Sequence, residues 1–202
     1  LDEADTLFRE ALRRLEALPV PLPERGFLFN NLSQLRRVQG DHAEAERFGA
    51  AAVAAAAQVW GENNIRWAAF ASNWGRALVA VGQVERGRTT LIAAYDAYRP
   101  LRPAGHVDFA RPLVGLGAAY RLLGQLAESE RVLREAQALI RPHPSFTERA
   151  GDIAVELGLT LKALGRRAEA TALLLEAHRI YQTARGDAHP STKQVLALIS
   201  GS

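Results

Sequence analysis

The chain has 202 residues, of which 23% are charged, and a formal net charge of +3. This length suffices for one domain with a continuous core, and so mild a positive charge does not by itself indicate a nucleic-acid partner. No cysteine is present, which excludes disulfides, a thiol nucleophile and a thiolate metal site. No apolar run approaches the roughly 18 residues that span a bilayer, so we expect no membrane association.

The origin of the chain is indicated by which residues it lacks. Methionine is absent even at position 1, which indicates a piece of a longer protein. Lys162 and Lys193 are the only lysines among 25 cations, and this usage is typical of a GC-rich bacterial genome. A cysteine-free chain fits any compartment, and the simplest expectation is the reducing cytoplasm.

Helical periodicity and helix breakers predict a series of helices in chain order. Asp2 to Leu18 resembles the second helix of a repeat whose first helix is missing. Pro19 to Pro23 contains three prolines and predicts a stiff connector. Pro190 begins a last helix through Ile199, which is either a capping or a truncated helix.

Four helical hairpins are predicted between these ends. Their first helices are expected at about 24–39, 65–81, 107–123 and 146–164, and their second helices at about 42–59, 84–99, 126–140 and 167–185. The corresponding repeats are 24–64, 65–106, 107–145 and 146–189, followed by a final segment at 190–202. With segments 1–18 and 19–23 before them, we expect all of these to form one solenoid domain.

The four hairpins share one residue pattern around a turn glycine. These glycines are spaced by 42, 42 and 41 residues, at Gly40, Gly82, Gly124 and Gly165. Seven residues before each lies a small residue, namely Ser33, Gly75, Gly117 and Gly158. Eight residues before each lies a large apolar residue, namely Leu32, Trp74, Leu116 and Leu157. Five and twelve residues after each lie small residues, namely Ala45, Gly87, Ser129, Ala170, Ala52, Ala94, Ala136 and Ala177. Such a period predicts an all-α solenoid in which each hairpin buries its apolar face against its neighbours.

This pattern resembles the tetratricopeptide repeat. The long period and the segment GDAHPST at Gly186–Thr192 resemble the kinesin-light-chain-like variety, in which a Gly-Asp-x-His-Pro loop joins successive hairpins. Trp60–Asn64 and Pro142–Ser145 look like variants of that loop. The resemblance implies a right-handed superhelix of antiparallel helix hairpins. The first copy departs from the family pattern, because Arg36 replaces an expected aromatic residue and Gly49 replaces an expected Phe or Leu.

The resemblance also implies that the first helix of each hairpin lines a concave groove, where asparagine clamps the backbone of an extended peptide. Asn31 and Asn73 match that pattern, whereas Gly115 and Glu156 stand at the equivalent places. A carboxamide supplies both a donor and an acceptor, as a peptide bond requires. Cations on the same face would favour an acidic segment. The predicted peptide-binding residues are Asn30, Asn31, Gln34, Arg37, Asn73, Arg76, Arg121 and Lys162. The alternative is that these are merely solvated polar residues.

Aromatic residues and histidines have simpler interpretations. Trp74 falls at a core position, and for Trp67 packing beside the alanine-rich segment Ala50–Ala57 is favoured over anchoring a ligand. The five histidines have no metal-ligand spacing, and no nucleophile and base are paired in the sequence. We therefore expect no metal, no cofactor, no nucleic acid and no enzymatic activity.

The leading hypothesis is a protein–protein interaction module within a larger signalling or regulatory protein. The alternative is a structural spacer or a self-association region that forms a homo-oligomer.

Overall fold

A computed structural model of the chain describes residues 6–7, 10–11, 13–14 and 22–200. The described residues between 6 and 14 are helical, whereas most of the predicted first segment and connector, and residues 201–202, lie outside the described part. In residues 22–200 every regular element is helical. The described part of the chain is therefore the all-α repeat solenoid that the sequence predicts.

Nine α-helices occupy residues 22–200. They are α1 (Pro23–Gln39), α2 (His42–Trp60), α3 (Ile65–Ala80), α4 (Val84–Tyr98), α5 (Ala110–Leu122), α6 (Leu126–Ile140), α7 (Thr147–Ala163), α8 (Arg167–Arg185) and α9 (Pro190–Ser200). Short 3-10 turns at Val107–Phe109 and Pro144–Phe146 precede α5 and α7. The predicted helix ends agree within one residue except at α5, which begins three residues later. There His106 Nδ1 accepts a hydrogen bond from the Asp108 backbone N–H at 3.1 Å, which stabilises a tight turn.

The chain divides into two compact units, Leu1–Pro103 and Ala104–Ser202. In the first unit α1 packs on α2, α3 packs on α4, and α3 also packs against both α1 and α2. In the second unit α5 packs on α6, α7 packs on α8, α7 also contacts α5 and α6, and α9 packs on α8. Each unit thus contains two adjacent hairpins, and the expectation of one continuous solenoid domain stays a prediction.

The turn glycines end the first helices as the sequence predicts. Gly40, Gly82, Gly124 and Gly165 all have φ between 74° and 83°. The residue after each donates its backbone N–H to a carbonyl five residues earlier, at 2.9 Å in every hairpin. These bonds form the C-terminal motif that a left-handed glycine permits, and they set where the second helix begins.

Within a hairpin, the two helices cross closely at the small residue that precedes the turn by seven. A Cβ atom on Gly75 would lie 2.6 Å from Leu91 Cγ and 3.2 Å from the Gly87 carbonyl oxygen. Gly117 lies in the same way beneath Leu133, and Gly158 beneath Leu174. Each leucine is fully buried, so it fills the space that the glycine leaves. The glycine therefore allows the leucine to pack on the helix backbone.

In the first hairpin, the larger residue at this crossing lies on α1 and the glycine lies on α2. Ser33 replaces the glycine, and its Oγ donates to the Ala45 carbonyl at 2.7 Å. Gly49 replaces the leucine and lies beneath Trp74 of α3, because a Cβ there would be 2.8 Å from Trp74 Cδ1. The indole Nε1 of Trp74 donates to Glu46 Oε1 at 3.2 Å, and the ring is half-buried. The departure of the first copy at Gly49 is thus compensated by a residue of the next hairpin.

The loops between hairpins share one geometry at two places. Gly61 and Gly186 have φ of 77° and 81° with ψ of 168° and 167°. Three residues later, Asn64 Oδ1 and His189 Nδ1 accept backbone N–H groups at 2.8 and 3.2 Å and so cap the next helices. Pro142–Ser145 has no such side-chain cap, so its likeness to this loop is confined to sequence. Trp67, near the first loop, is buried, as expected of a packing residue.

We expect Gly75→Ala to lower the free energy of unfolding. Overpacking against the fully buried Leu91 costs about 1–3 kcal/mol, whose middle exceeds the gain in helix propensity of about 1 kcal/mol. Gly158→Ala is the matched control, because its Cβ would lie 3.1 Å from Leu174 Cγ. Urea unfolding followed by circular dichroism measures both variants. A loss in Gly158→Ala as large as that in Gly75→Ala would contradict this packing explanation.

His189 should make folding sensitive to acid. Burial lowers the pKa of His189 below 6.5, the Arg185 guanidinium lowers it further, and the Glu148 carboxylate opposes the shift. The unfolded chain therefore binds the proton more readily, so the contribution of neutral His189 is complete above about pH 6.5 and is lost as the pH falls below that value. His189→Asn keeps an acceptor for the Ser191 N–H but does not titrate. Melting temperatures between about pH 7.5 and 5 should fall less for this variant than for the parent, and equal falls would count against it.

Candidate functional site

Three asparagines form a hydrogen-bonded row on the first helices of the first unit. Asn73 Nδ2 of α3 donates to Asn30 Oδ1 of α1 at 2.8 Å, and Asn30 Nδ2 donates to Asn31 Oδ1 at 3.5 Å. Asn73 is buried, with 6% of its surface exposed, whereas Asn31 is exposed. We call the surface formed by these three side chains the amide face.

The amide face retains unused hydrogen-bonding capacity at its two ends. Asn30 uses its oxygen for Asn73 and its nitrogen for Asn31. No described residue donates to Asn73 Oδ1 or accepts from Asn31 Nδ2. The Asn73 oxygen and the Asn31 nitrogen are therefore left for an external group, and an acceptor and a donor are the two functions that a peptide bond complements.

The other predicted residues of the first unit belong to the same two helices. Arg37 Nε donates to Gln34 Oε1 at 3.4 Å along α1, and both side chains are half-buried. Arg76 is half-buried on α3. These two arginines add positive charge to the helices that carry the amide face, so an acidic ligand would be favoured over a basic one there.

In the second unit, Arg121 already has an acidic partner. Its Nη2 lies 3.1 Å from Glu156 Oε2 of α7, with only 21% and 23% of the two side chains exposed. Arg121 Nε is buried without a hydrogen-bond partner. Lys162 is half-buried on α7. The charge of Arg121 is largely balanced by Glu156, so Arg121 offers less to an acidic ligand than the sequence implies.

Sequence reasoning missed two of these pairings. It treated Asn31 and Asn73 as equivalent groove residues, but the bond across the helices joins Asn73 to Asn30. It noted Glu156 only as a departure from asparagine. The register contained no direct signal, because the residue one repeat after Arg121 is Lys162, and Glu156 comes six residues before it on the adjacent first helix.

Two features, a metal-binding cluster and a membrane-spanning helix, are not found in the described residues. Among them, no three His, Asp or Glu side chains are grouped so that they could hold a metal ion. Across the same part of the chain, no helix combines the length and hydropathy needed to cross a bilayer.

Comparison with known proteins agrees with this architecture. A sequence profile described as Tetratricopeptide repeat matches residues 152–191, which include most of α7 and all of α8. No curated protein sequence matches the chain. Among solved structures, BtubC (BKLC) from P. vanneervenii is similar with a TM-score of 0.66 and 21% identity, over 92% of this chain and 74% of that one. A second similar structure comes from Podosopora anserina and is that of a putative kinesin light chain with nearly identical TPR-like repeats. Its TM-score is 0.59 at 22% identity, over 89% of this chain and 86% of that one.

A solenoid of helix hairpins with a polar face on its first helices defines a class of repeat protein that generally serves in protein–protein interaction. Residues 152–191 thus match the tetratricopeptide-repeat family, and the solved structures share the fold of the chain, a solenoid of such repeats. At this identity, the likeness to the kinesin-light-chain structures is one of fold.

The amide face predicts unequal effects of two asparagine substitutions on stability. Asn73→Ala removes a good hydrogen bond from a buried position and leaves the partner carboxamide unsatisfied, so it should cost about 1–2 kcal/mol. Asn31→Ala removes a long, exposed contact and should change stability by less than about 0.5 kcal/mol. Urea unfolding of both variants measures the difference. Equal values for the two would mean that the Asn73–Asn30 bond contributes nothing to folding.

Proposed function

We propose that the chain is a non-enzymatic protein–protein interaction module that binds an extended, acidic peptide segment at the amide face. The observation that carries this proposal is the Asn31–Asn30–Asn73 row with its unused donor and acceptor. An extended backbone presents a carbonyl to Asn31 Nδ2 and an N–H to Asn73 Oδ1. Neither interaction depends on the ligand's side chains, so it provides affinity without sequence specificity.

Preference among ligands then comes from charge. Arg37 and Arg76 stand on the two helices that carry the amide face, and Arg121 stands in the second unit. Acidic side chains, or the carboxylate of a peptide C-terminus, would complement the first two arginines. We therefore place the acidic-peptide site on α1 and α3, and assign Arg121 and Lys162 a lesser role.

The proposal also covers the parent protein and the compartment in which the module acts. We infer that the module belongs to a larger signalling or regulatory protein of the bacterial cytoplasm, where it recruits a partner. Support for an interaction role comes from the family, whose members are generally non-enzymatic scaffolds. The cytoplasmic and bacterial setting is supported only by residue usage, namely the absence of cysteine and the preference for arginine over lysine.

Selection of a phage-displayed library of random peptides on the immobilised 202-residue chain tests the site. We expect acid-rich peptides to be selected. The double substitution Asn31→Asp and Arg76→Gln should weaken them at least about tenfold, since lost hydrogen bonds to charged groups each contribute about 1.5–3 kcal/mol. Fluorescence anisotropy with a labelled selected peptide measures this change.

A control variant separates the local effect from net charge. Gln58→Glu with Arg86→Gln makes the same change in charge at exposed positions on α2 and α4. It should bind the peptide as the parent does. If both double variants weaken binding equally, the attraction is nonspecific and the amide face is not the site.

If no peptide is selected, a structural spacer or self-association region becomes the better explanation, and sedimentation at two concentrations distinguishes those two roles.

A further inference from the structure

The second unit contains a cavity of about 690 Å³ that the peptide proposal does not use. It lies between α6, the segment before α7, the first half of α7, and α8. Its apolar lining includes Ile140, Phe146 and Ile153, and its polar lining includes Arg134, Arg141 and Glu176. This volume lies within the range of about 300–1,000 Å³ that is usual for small-molecule sites.

The repeat register explains why the cavity exists. Fifteen residues before the turn glycine, the second and third hairpins have Trp67 and Phe109, both buried at 9% and 5% exposure. The fourth hairpin has Ala150 at that place, and Ala150 lines the cavity. Counted without a gap to the turn, these residues share one register position, at which the first hairpin has Arg25; Trp67 and Ala150 lie within helices, whereas Phe109 ends a 3-10 turn. The space is therefore left by a missing aromatic side chain, and an apolar group of similar size would restore the packing.

The charged groups around the opening favour an anion. Arg141 is exposed and makes no ion pair or hydrogen bond through its side chain within the described part of the chain. Arg134 contacts Glu130 and Gln137 only at 3.4 Å each, and 41% of its side chain is exposed. Glu176 is the acid in the lining, so the two arginines leave a net positive charge there. A carboxylate or sulfonate would gain a bidentate partner in Arg141.

Phe146 presents a ring that is held from two sides. The Arg149 guanidinium lies 4.7 Å from its centroid, and the His143 ring is 6.1 Å away at an interplanar angle of 86°. These contacts restrict the ring at the cavity wall. A flat apolar ligand could therefore pack against Phe146 at a low cost in conformational entropy.

From these observations we propose that the second unit binds a small organic anion, with an apolar ring or chain in the space above Ala150 and its acidic group at Arg134 and Arg141. The site is separate from the amide face and does not depend on it. A tetratricopeptide-repeat module with such a site would recognise a small molecule in addition to a protein segment.

Titration of the full chain with 8-anilinonaphthalene-1-sulfonate, followed by its fluorescence, tests the proposal. This probe has an apolar ring system and one sulfonate. We expect saturable one-to-one binding. The neutral 1-anilinonaphthalene, which has the same rings without the sulfonate, should bind at least about tenfold more weakly because it cannot accept the charge-assisted hydrogen bonds.

Two variants locate the probe. Ala150→Trp fills the cavity and should abolish binding. Its circular dichroism spectrum should equal that of the parent. If this variant unfolds, the smaller substitution Ala150→Leu takes its place. Arg134→Gln with Arg141→Gln should weaken binding at least about tenfold. The matched control, Arg86→Gln with Arg99→Gln, makes the same charge change in the first unit and should leave binding unchanged. Absence of saturable binding, binding that survives the filled cavity, or equal weakening by both arginine pairs would overturn the proposal.

Discussion

Everything in this structure depends on the close crossing of two helices within each hairpin. In three hairpins a glycine lies beneath a fully buried leucine, as Gly75 lies beneath Leu91, and in the first hairpin a serine hydroxyl bonds the opposite backbone instead. The third hairpin has a serine hydroxyl bond of its own, from Ser129 Oγ to the Gly117 carbonyl at 2.7 Å. Each crossing is therefore stabilised by a buried leucine, by a serine hydroxyl bond or by both. The two backbones approach so closely that a larger residue would not fit between them.

Adjacent first helices contact each other beside this crossing and place polar groups opposite each other. Asn73 meets Asn30 in the first unit, and Arg121 meets Glu156 in the second. Neighbouring first helices therefore form an amide pair with unused donor and acceptor groups in one unit and a balanced ion pair in the other. A solenoid can hold different ligands by changing only these positions, with the crossing unchanged.

Sequence reasoning succeeded where local chemistry decides the result. Turn glycines such as Gly124 and helix ends follow from backbone conformation and periodicity, and both were predicted correctly except for the start of α5. It was less successful where two helices meet, because which of Asn30 and Asn31 reaches Asn73 depends on the rotation of each helix about its own axis. The cavity beside Ala150 could have been foreseen by comparing that residue with its larger equivalents in the second and third hairpins, but only packing reveals that no other side chain fills the space. Binding at the predicted groove residues stays a prediction.

The most direct measurement of the central claim is the nuclear magnetic resonance of side-chain amides in ¹⁵N-labelled protein as a selected acidic peptide is added. If the peptide backbone binds at the amide face, the Asn31 and Asn73 NH₂ signals should shift in proportion to occupancy. The Gln58 signal, from the exposed side of α2, should not move. Shifts confined to Gln58 or to residues of the second unit, with Asn31 and Asn73 unchanged at saturation, would contradict the claim that these asparagines bind the ligand.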